Sequence, residues 1–250
     1  MPDAAAIEAI ERATLQAVAP ERVESLGGWL LPMDHGTVGR ARSAVPLHHG
    51  SHELALLPAI LARYTALGFV PRLRLPDLPA FLPWHEALAR RGWQRLQPTL
   101  TLTGDVQPLL AAPGGPPADL DSSPDDAWMA MFLGAGLDPD DGASRSRLLA
   151  RATGTLYASV REQGQTVACG AASFGHGWLG VHGMRTAAAR RGEGLAGRIL
   201  HAMATEASRR GVTGVFLQVD ASNLPALALY RRAGLTMAWP YAYWRCAVTD

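Results

Sequence analysis

The hydrophobic and polar positions of the chain follow two different periods. In some segments apolar residues recur every three to four positions, as on the buried face of a helix; in others they alternate with polar residues, as in a half-buried strand. Helices are predicted over 4–18, 52–67, 83–91, 125–133, 143–153, 194–210 and 224–233. Strands are predicted over 28–33, 37–45, 72–75, 97–103, 155–161, 166–174, 178–186, 215–219 and 239–248. The mixture indicates an α/β (α+β) fold.

The segment 107–124 is rich in proline, glycine and aspartate and has no clear period, which predicts a linker between 1–106 and 125–250. The order helix, glycine, strand, short helix, glycine occurs once on each side of it. The glycines are Gly68 and Gly92 in the first part, and Gly211 and Gly234 in the second. We interpret this order as a weak tandem duplication; coincidence is the alternative, because such strings of elements are common.

Composition excludes several chemistries. All 23 basic residues are arginine, so neither a phosphate-binding loop with its lysine nor a Schiff-base enzyme is possible. The net charge of +1 argues against a nucleic acid partner. Cys169 and Cys246 lie too far apart in sequence for a metal motif, and no metal site is predicted. Without a membrane-length apolar run or a basic leader, the expectation is a cytoplasmic monomer or homodimer with no membrane partner.

The most informative segment is the glycine-rich stretch 190–197, with the sequence RRGEGLAG. It follows a predicted strand and opens a predicted helix, whose first amides lack internal partners and carry the positive end of the helix dipole. Glycines allow close approach of phosphate oxygens, so the segment is a candidate pyrophosphate site. Gly192, Gly194 and Gly197 also match a dinucleotide-binding fingerprint, with Asp220 as the ribose contact. Only 53 residues follow Gly197, too few for that fold, so nicotinamide binding is disfavoured.

A second interpretation rests on two motifs at once. Arg191-Gly-Glu-Gly194-Leu-Ala196 resembles the acetyl-CoA-binding motif of the GNAT N-acetyltransferase superfamily. Downstream, Asn-x-x-Ala-x-x-Leu-Tyr-x-x-x-Gly-Leu over 223–235 resembles that family's Asn-x-x-Ala-x-x-Leu-Tyr-x-x-x-Gly-Phe segment. The resemblance covers about 119–250. The first part lacks the glycine loop and resembles the degenerate N-terminal half of tandem GNAT proteins.

The resemblance implies an α/β (α+β) fold with two GNAT-like mixed sheets flanked by helices, of which only the C-terminal one has an intact acetyl-CoA motif. It also implies acetyl-CoA as co-substrate. Its implied binding residues are Met184, Arg185, Thr186, Arg191, Gly192, Glu193, Gly194, Leu195, Ala196, Gly197 and Asn223. The backbone of Met184 and Thr186 would pair with the pantetheine arm, an amide near Met184 would hold the thioester oxygen, and Gly183 would permit a bulge. Arg190 and Arg191 would add charge, with simple solvation as the alternative role. Asn223 could instead cap the helix that follows it, which its residue type favours.

The acid and the base are predicted separately. Tyr230 matches the family's frequent acid position, and packing of a buried aromatic is its alternative role. Gly180 stands where many relatives carry a carboxylate on the fourth strand; His182, on the same side, is the candidate base. A structural histidine or an ordered water in place of a base residue stays open, and Glu162 and His176 are weaker candidates on turns.

The acceptor is predicted to be a primary amine of a small molecule or a protein, attacking the thioester directly. Residues expected to line an apolar acceptor pocket, or else to pack in the core, are Trp128, Phe132, Trp239, Tyr241 and Tyr243. Asp138, Asp140 and Asp141 form an acidic loop that could favour a cationic acceptor, although a solvated turn is the favoured interpretation. The alternative function is a non-catalytic acyl-CoA-binding or regulatory module.

Overall fold

A computed structural model describes residues 2–50, 52–111, 115–133 and 138–246 of the chain. The helices are α1 (Ala4–Val18), α2 (Leu57–Ala66), α3 (Leu82–Arg90), α4 (Asp126–Ala130), α5 (Pro139–Arg151), α6 (Leu195–Arg209) and α7 (Leu224–Arg232). The strands are β1 (Arg22–Leu26), β2 (Trp29–Met33), β3 (Val45–Pro46), β4 (Arg72–Pro76), β5 (Trp93–Asp105), β6 (Asp119–Asp121), β7 (Leu156–Glu162), β8 (Gln165–Gly175), β9 (Trp178–Thr186), β10 (Gly214–Asp220) and β11 (Thr236–Cys246). None of these helices has the length and apolarity that crossing a membrane requires.

The predicted fold class is confirmed: two sheets are flanked by helices. The smaller sheet has the order β1-β2-β3, and the larger has the order β4-β11-β5-β10-β9-β8-β7-β6. Side chains of β9 alternate between the two faces of the larger sheet. Leu179 and Val181 pack in the core beneath α6, whereas His182 lies on the opposite face with Phe216, next to the residues of α1.

The larger sheet combines strands from both sides of the predicted linker. β5 lies between β10 and β11 and pairs antiparallel with both, while β11 also pairs antiparallel with β4. The recurring order of elements is present in the structure, with each helix followed by a glycine at positive φ: Gly68, Gly92, Gly211 and Gly234. The last strands of the two repeats are exchanged, because β4 pairs with β11 and β10 pairs with β5. The division into separate units at 107–124 stays a prediction.

Two features of the first part differ from the sequence prediction. The predicted strand over 37–45 is wrong: this segment forms a short 3-10 turn at Gly39–Ala41, and only Val45–Pro46 is extended. The strand β1 was not predicted, because its residues are mostly exposed and carry no alternating pattern. Gly27 and Gly28, both at positive φ, form the turn that folds β1 onto β2.

Helix α1 covers the sheet face that continues into the site. Its Glu11 forms a salt bridge with Arg74 of β4, and both side chains are almost fully buried. The neighbouring Thr14 accepts a hydrogen bond of 2.9 Å from the side-chain amide of Gln218 on β10. These two contacts fix α1 against strands from both parts of the chain.

The exchange of strands predicts that the second part does not fold without the first. A fragment that begins at Asp119 lacks β4 and β5, which leaves one edge of β10 and both edges of β11 without partners. Exposed edges and the loss of the shared core should abolish cooperative folding. Thermal unfolding by circular dichroism, with the full chain as control, measures this. A fragment that melts cooperatively close to the temperature of the full chain would contradict it.

Candidate functional site

The centre of the larger sheet opens where two parallel strands part. β9 and β10 pair only from Trp178 with Gly214 to Val181 with Leu217. Beyond these pairs both strands continue, β9 to Thr186 and β10 to Asp220, without pairing to each other. Their backbone amide and carbonyl groups at the gap are therefore free to pair with an extended ligand.

A β-bulge lies where the gap begins. The register of β8 and β9 shifts so that Gly183 and Met184 together face Gly170. Gly183 has a φ of +59°, and a Cβ there would lie 2.8 Å from the side chain of Leu149. The bulge predicted at this glycine is confirmed, and it bends β9 away from β10.

A cavity of about 930 Å³ occupies the gap. Ten of the eleven residues predicted to bind the co-substrate line it: Met184, Arg185, Thr186, Arg191, Gly192, Gly194, Leu195, Ala196, Gly197 and Asn223. Glu193 does not. Tyr230 and His182 line the same cavity. The structure therefore brings the predicted residues together, while their binding and catalytic roles stay predictions.

The glycine-rich loop closes one end of the cavity. Gly192 and Gly194 have φ values of +85° and +78°, and nothing lies within 4 Å of a Cβ built on either residue. Gly194 is the N-cap of α6 and has no side chain to satisfy the first amides of that helix. Those amides, at the positive end of a fifteen-residue helix, face open space and suit a phosphate group.

The two arginines that precede this loop differ. Arg190 donates hydrogen bonds to both Glu162 and Glu193, and this pairing raises its pKa. Its charge is balanced by these two carboxylates although it also lines the cavity, so the charge that it was expected to add for a ligand stays a prediction. Arg191 also lines the cavity, and within the described ranges no carboxylate oxygen lies within 4.0 Å of it. Glu162, tied to Arg190, is correspondingly unsuited to the role of base.

Helix α7 carries Tyr230 to the cavity wall. The side chain of Asn223 accepts a hydrogen bond of 3.2 Å from the amide of Ala226, so the favoured capping role of Asn223 is confirmed. Tyr230 is 6% exposed, and burial raises its pKa to about 12. Its hydroxyl group is therefore protonated at neutral pH and can donate a proton or a hydrogen bond.

His182 is less suited to the role of base than its position suggested. It is 3% exposed, its Nε2 lies 2.9 Å from the hydroxyl oxygen of Ser173, and burial lowers its pKa to about 3. Gly180 leaves the room that this ring occupies, since a Cβ there would lie 2.5 Å from Nε2. A group with so low a pKa accepts a proton poorly at neutral pH. The candidate base of the sequence is a buried neutral histidine.

Only some of the residues predicted to line an acceptor pocket reach the cavity. Phe132, Tyr241 and Tyr243 line the cavity, and Trp128 and Trp239 do not. Phe132 and Tyr241 are nevertheless 1% and 2% exposed and belong to the same core clusters as Trp128 and Trp239, so they serve both as wall and as core.

The acidic loop is largely structural. Asp138 caps α5 by accepting bonds from the amides of Asp140 and Asp141. The carboxylate of Asp141 is held by Thr37 at 2.6 Å and by Arg145 at 2.5 Å, so it does not create a free acidic site. His176 is exposed on the turn between β8 and β9 and does not line the cavity.

The contribution of the first part of the chain to the cavity was not predicted from the sequence. Arg40, Gln97 and Thr99 line it together with Gln218 of β10. Gln97 has a φ of +51° at a second bulge, where Gln97 and Pro98 face Ala242. A proline inside a predicted strand was the available signal for that bulge. Arg40 lies in the segment wrongly predicted as a strand, and nothing local indicated its position.

The sequence of the chain is similar to those of known proteins. A model of the family described as the C-terminal part of the probable histone acetyltransferase Rv0428c matches residues 4–244. The probable histone acetyltransferase Rv0428c of Mycobacterium tuberculosis is 31% identical over 232 residues, covering 90% of this chain and 69% of that protein.

Solved structures share the fold. A GCN5-related N-acetyltransferase from Kribbella flavida matches with a TM-score of 0.70 at 19% identity, covering 98% of this chain and 96% of that one. A tandem GNAT protein from the clavulanic acid biosynthesis pathway matches with a TM-score of 0.62 at 16% identity, covering 96% and 89%.

The burial of His182 predicts a pH dependence of stability. Its pKa is about 3 in the folded protein against 6.5 as the ordinary value, so the unfolded chain takes up a proton that the folded protein does not. The stability is present above pH 6.5 and is lost as the pH falls below it. Between about pH 7.5 and about pH 5 this residue should lower the free energy of unfolding by about 2 kcal/mol.

Urea unfolding of the wild type and of His182→Gln at the two pH values measures that contribution. The variant should lose stability less steeply on acidification, because glutamine does not titrate. His176→Asn is the control, since His176 is exposed and asparagine tolerates its positive φ. An identical pH dependence in wild type and His182→Gln would contradict the assignment.

Proposed function

The chain belongs to the family of the Rv0428c C-terminal part and is an acetyltransferase of GNAT type; from this premise we propose that it transfers an acetyl group from acetyl-CoA to a primary amine. One observation carries the proposal: the gap between β9 and β10 opens into a single cavity with the glycine loop at one end and Tyr230 in its wall. That arrangement provides a phosphate site, a strand edge and a proton donor along one path.

The described residues fit the three parts of acetyl-CoA. The amides at Gly192–Ala196 suit the pyrophosphate, with Arg191 as the uncompensated charge beside them. The free backbone edge of β9 at Met184 and Thr186 suits the two amides of the pantetheine arm. When bound, the co-substrate supplies an activated thioester.

The chain's own groups then have distinct tasks in a direct transfer. The amine nitrogen attacks the thioester carbonyl, the carbon–sulfur bond breaks, and the departing thiolate takes a proton. We assign that proton to the hydroxyl group of Tyr230, because this group lines the cavity and is protonated at neutral pH. We assign an amide of the bulge near Met184 to the carbonyl oxygen, on which negative charge develops. The proton of the ammonium group passes to solvent in the open cavity, since His182 is a poor base.

Replacement of Gly194 by aspartate tests the phosphate site. The carboxylate would occupy the amides of α6, repel the phosphates and strain a residue at positive φ. We expect acetyl-CoA affinity, measured by calorimetry, to fall at least about tenfold.

Gly211→Asp is the matched control for that change. Gly211 follows the other end of α6, has a φ of +70° and likewise has nothing within 4 Å of a Cβ, but it lies outside the cavity. It should reproduce the backbone strain and keep the affinity. Equal affinity in Gly194→Asp and wild type would show that the phosphates bind elsewhere.

Replacement of Tyr230 by phenylalanine tests the proton donor. Loss of a general acid should lower kcat by about 10²- to 10⁴-fold, while acetyl-CoA binding persists because the ring is kept. Release of CoA thiol across a panel of small amines and lysine peptides measures kcat. Undiminished turnover would remove Tyr230 from the mechanism. Binding of acetyl-CoA by wild type without turnover of any amine would instead favour the non-catalytic alternative.

A further inference from the structure

Two partly buried arginines of the cavity wall lack a carboxylate partner among the described residues, whereas Arg191 and Arg232, which also lack one, are exposed. Arg40 and Arg185 both line the cavity, and among the residues that the structure describes no Asp or Glu oxygen lies within 4.0 Å of either guanidinium. Arg145, which also lines the cavity, forms a salt bridge with Asp141. Arginine rarely lies partly buried without an anion, so the two unpaired groups need an explanation.

Arg185 lies beside the reacting end of the cavity. It follows the bulge on β9, its guanidinium carbon is 5.3 Å from the centre of the Phe132 ring, and its Nε is buried without a hydrogen-bond partner. One terminal nitrogen donates to the carbonyl oxygen of Met184 at 3.3 Å. Its positive charge also acts on Tyr230, partly opposing the effect of burial on the pKa of that hydroxyl group. A ligand anion on Arg185 would therefore lie near the proton donor.

Arg40 is held in place by a chain of hydrogen bonds. Its terminal nitrogen donates to the side-chain oxygen of Gln218 at 2.8 Å. The amide nitrogen of Gln218 donates in turn to Thr14, which is fully buried. The guanidinium is thus oriented before any ligand arrives, which is the condition for specific recognition.

The guanidinium group matches the planar, two-pronged geometry of a carboxylate. We propose that the acceptor amine carries a carboxylate, as an amino acid does, and that Arg185 and Arg40 bind this carboxylate in the cavity; the proposal rests on the proposed function. Phe132, Tyr241 and Tyr243 provide the apolar wall for the body of such a molecule. A lysine-rich peptide fits worse, because its charges would meet six arginines in the cavity lining against two aspartates, Asp141 and Asp220.

The test compares amines that differ only in the carboxylate. Phenylalanine, glycine and alanine are each supplied as the free acid and as the amide, and kcat/KM is measured by CoA release. We expect the acids to exceed the amides at least about tenfold in the wild type. Arg40→Gln and Arg185→Gln should each bring the ratio of acid to amide towards one. Arg209→Gln, at an exposed arginine of α6 outside the cavity, should leave the ratio unchanged.

The outcomes separate this inference from the proposed function. Equal use of acids and amides, or preferential use of a lysine-rich peptide, overturns the inference and leaves the acetyltransferase reaction intact. Failure of acetyl-CoA to bind the wild type overturns the proposed function itself. If acetyl-CoA binds and no amine is turned over, calorimetry with CoA present compares N-acetylphenylalanine with its amide. Tighter binding of the acid that is lost in Arg40→Gln supports the inference, and equal or absent binding overturns it.

Discussion

The parting of β9 and β10 is the constraint on which the site depends. Two parallel strands inside a sheet would normally satisfy one another's backbone groups along their whole length. Here the ladder ends at Val181 and Leu217, and the bulge at Gly183 turns the next residues away. The remaining backbone edge of β9 lies in the interior of a sheet and is open only to the cavity. A glycine is required at the bulge, because a side chain there would meet Leu149 and its φ is positive. The gap is therefore determined by the bulge at Gly183, and the glycine loop, α6 and α7 surround it.

The exchange of strands makes this gap possible without weakening the sheet. β10, unpaired on one side beyond Leu217, is paired along its whole length on the other side by β5. β5 comes from the first part of the chain and is itself held by β11. The same strand brings Gln97 and Thr99 to the cavity. The first part thus supports the opened strand and completes one wall of the cavity at the same time. Its sequence has no counterpart of the glycine loop at 190–197, which is consistent with such a supporting role.

Local signals predicted the second part of the molecule well. The strand over Trp178–Thr186, the glycine loop, the bulge at Gly183 and the cap at Asn223 each depend on a few neighbouring residues. What could not be predicted depends on partners that are distant in sequence. The pairing of β5 with β10 joins residues more than one hundred positions apart, and the compensation of Arg190 by Glu162 joins two turns. The burial of His182 follows from the room left by Gly180 on the same strand and from the helix packed over it.

Because the chain uses arginine and no lysine, every cationic side chain of this type in the cavity is a guanidinium group. Burial lowers the pKa of Arg185, but a guanidinium group starts from so high a pKa that it stays charged at neutral pH. A lysine starts from a lower pKa and gives up its proton more readily when buried, which yields a neutral amine. At position 185, beside Tyr230 and the gap, such an amine would be a nucleophile close to the thioester of an acetyl donor. Arginine provides the positive charge without that nucleophile. The absence of lysine thus leaves an acetyltransferase with fixed cations in its cavity and no side-chain amine of its own to modify.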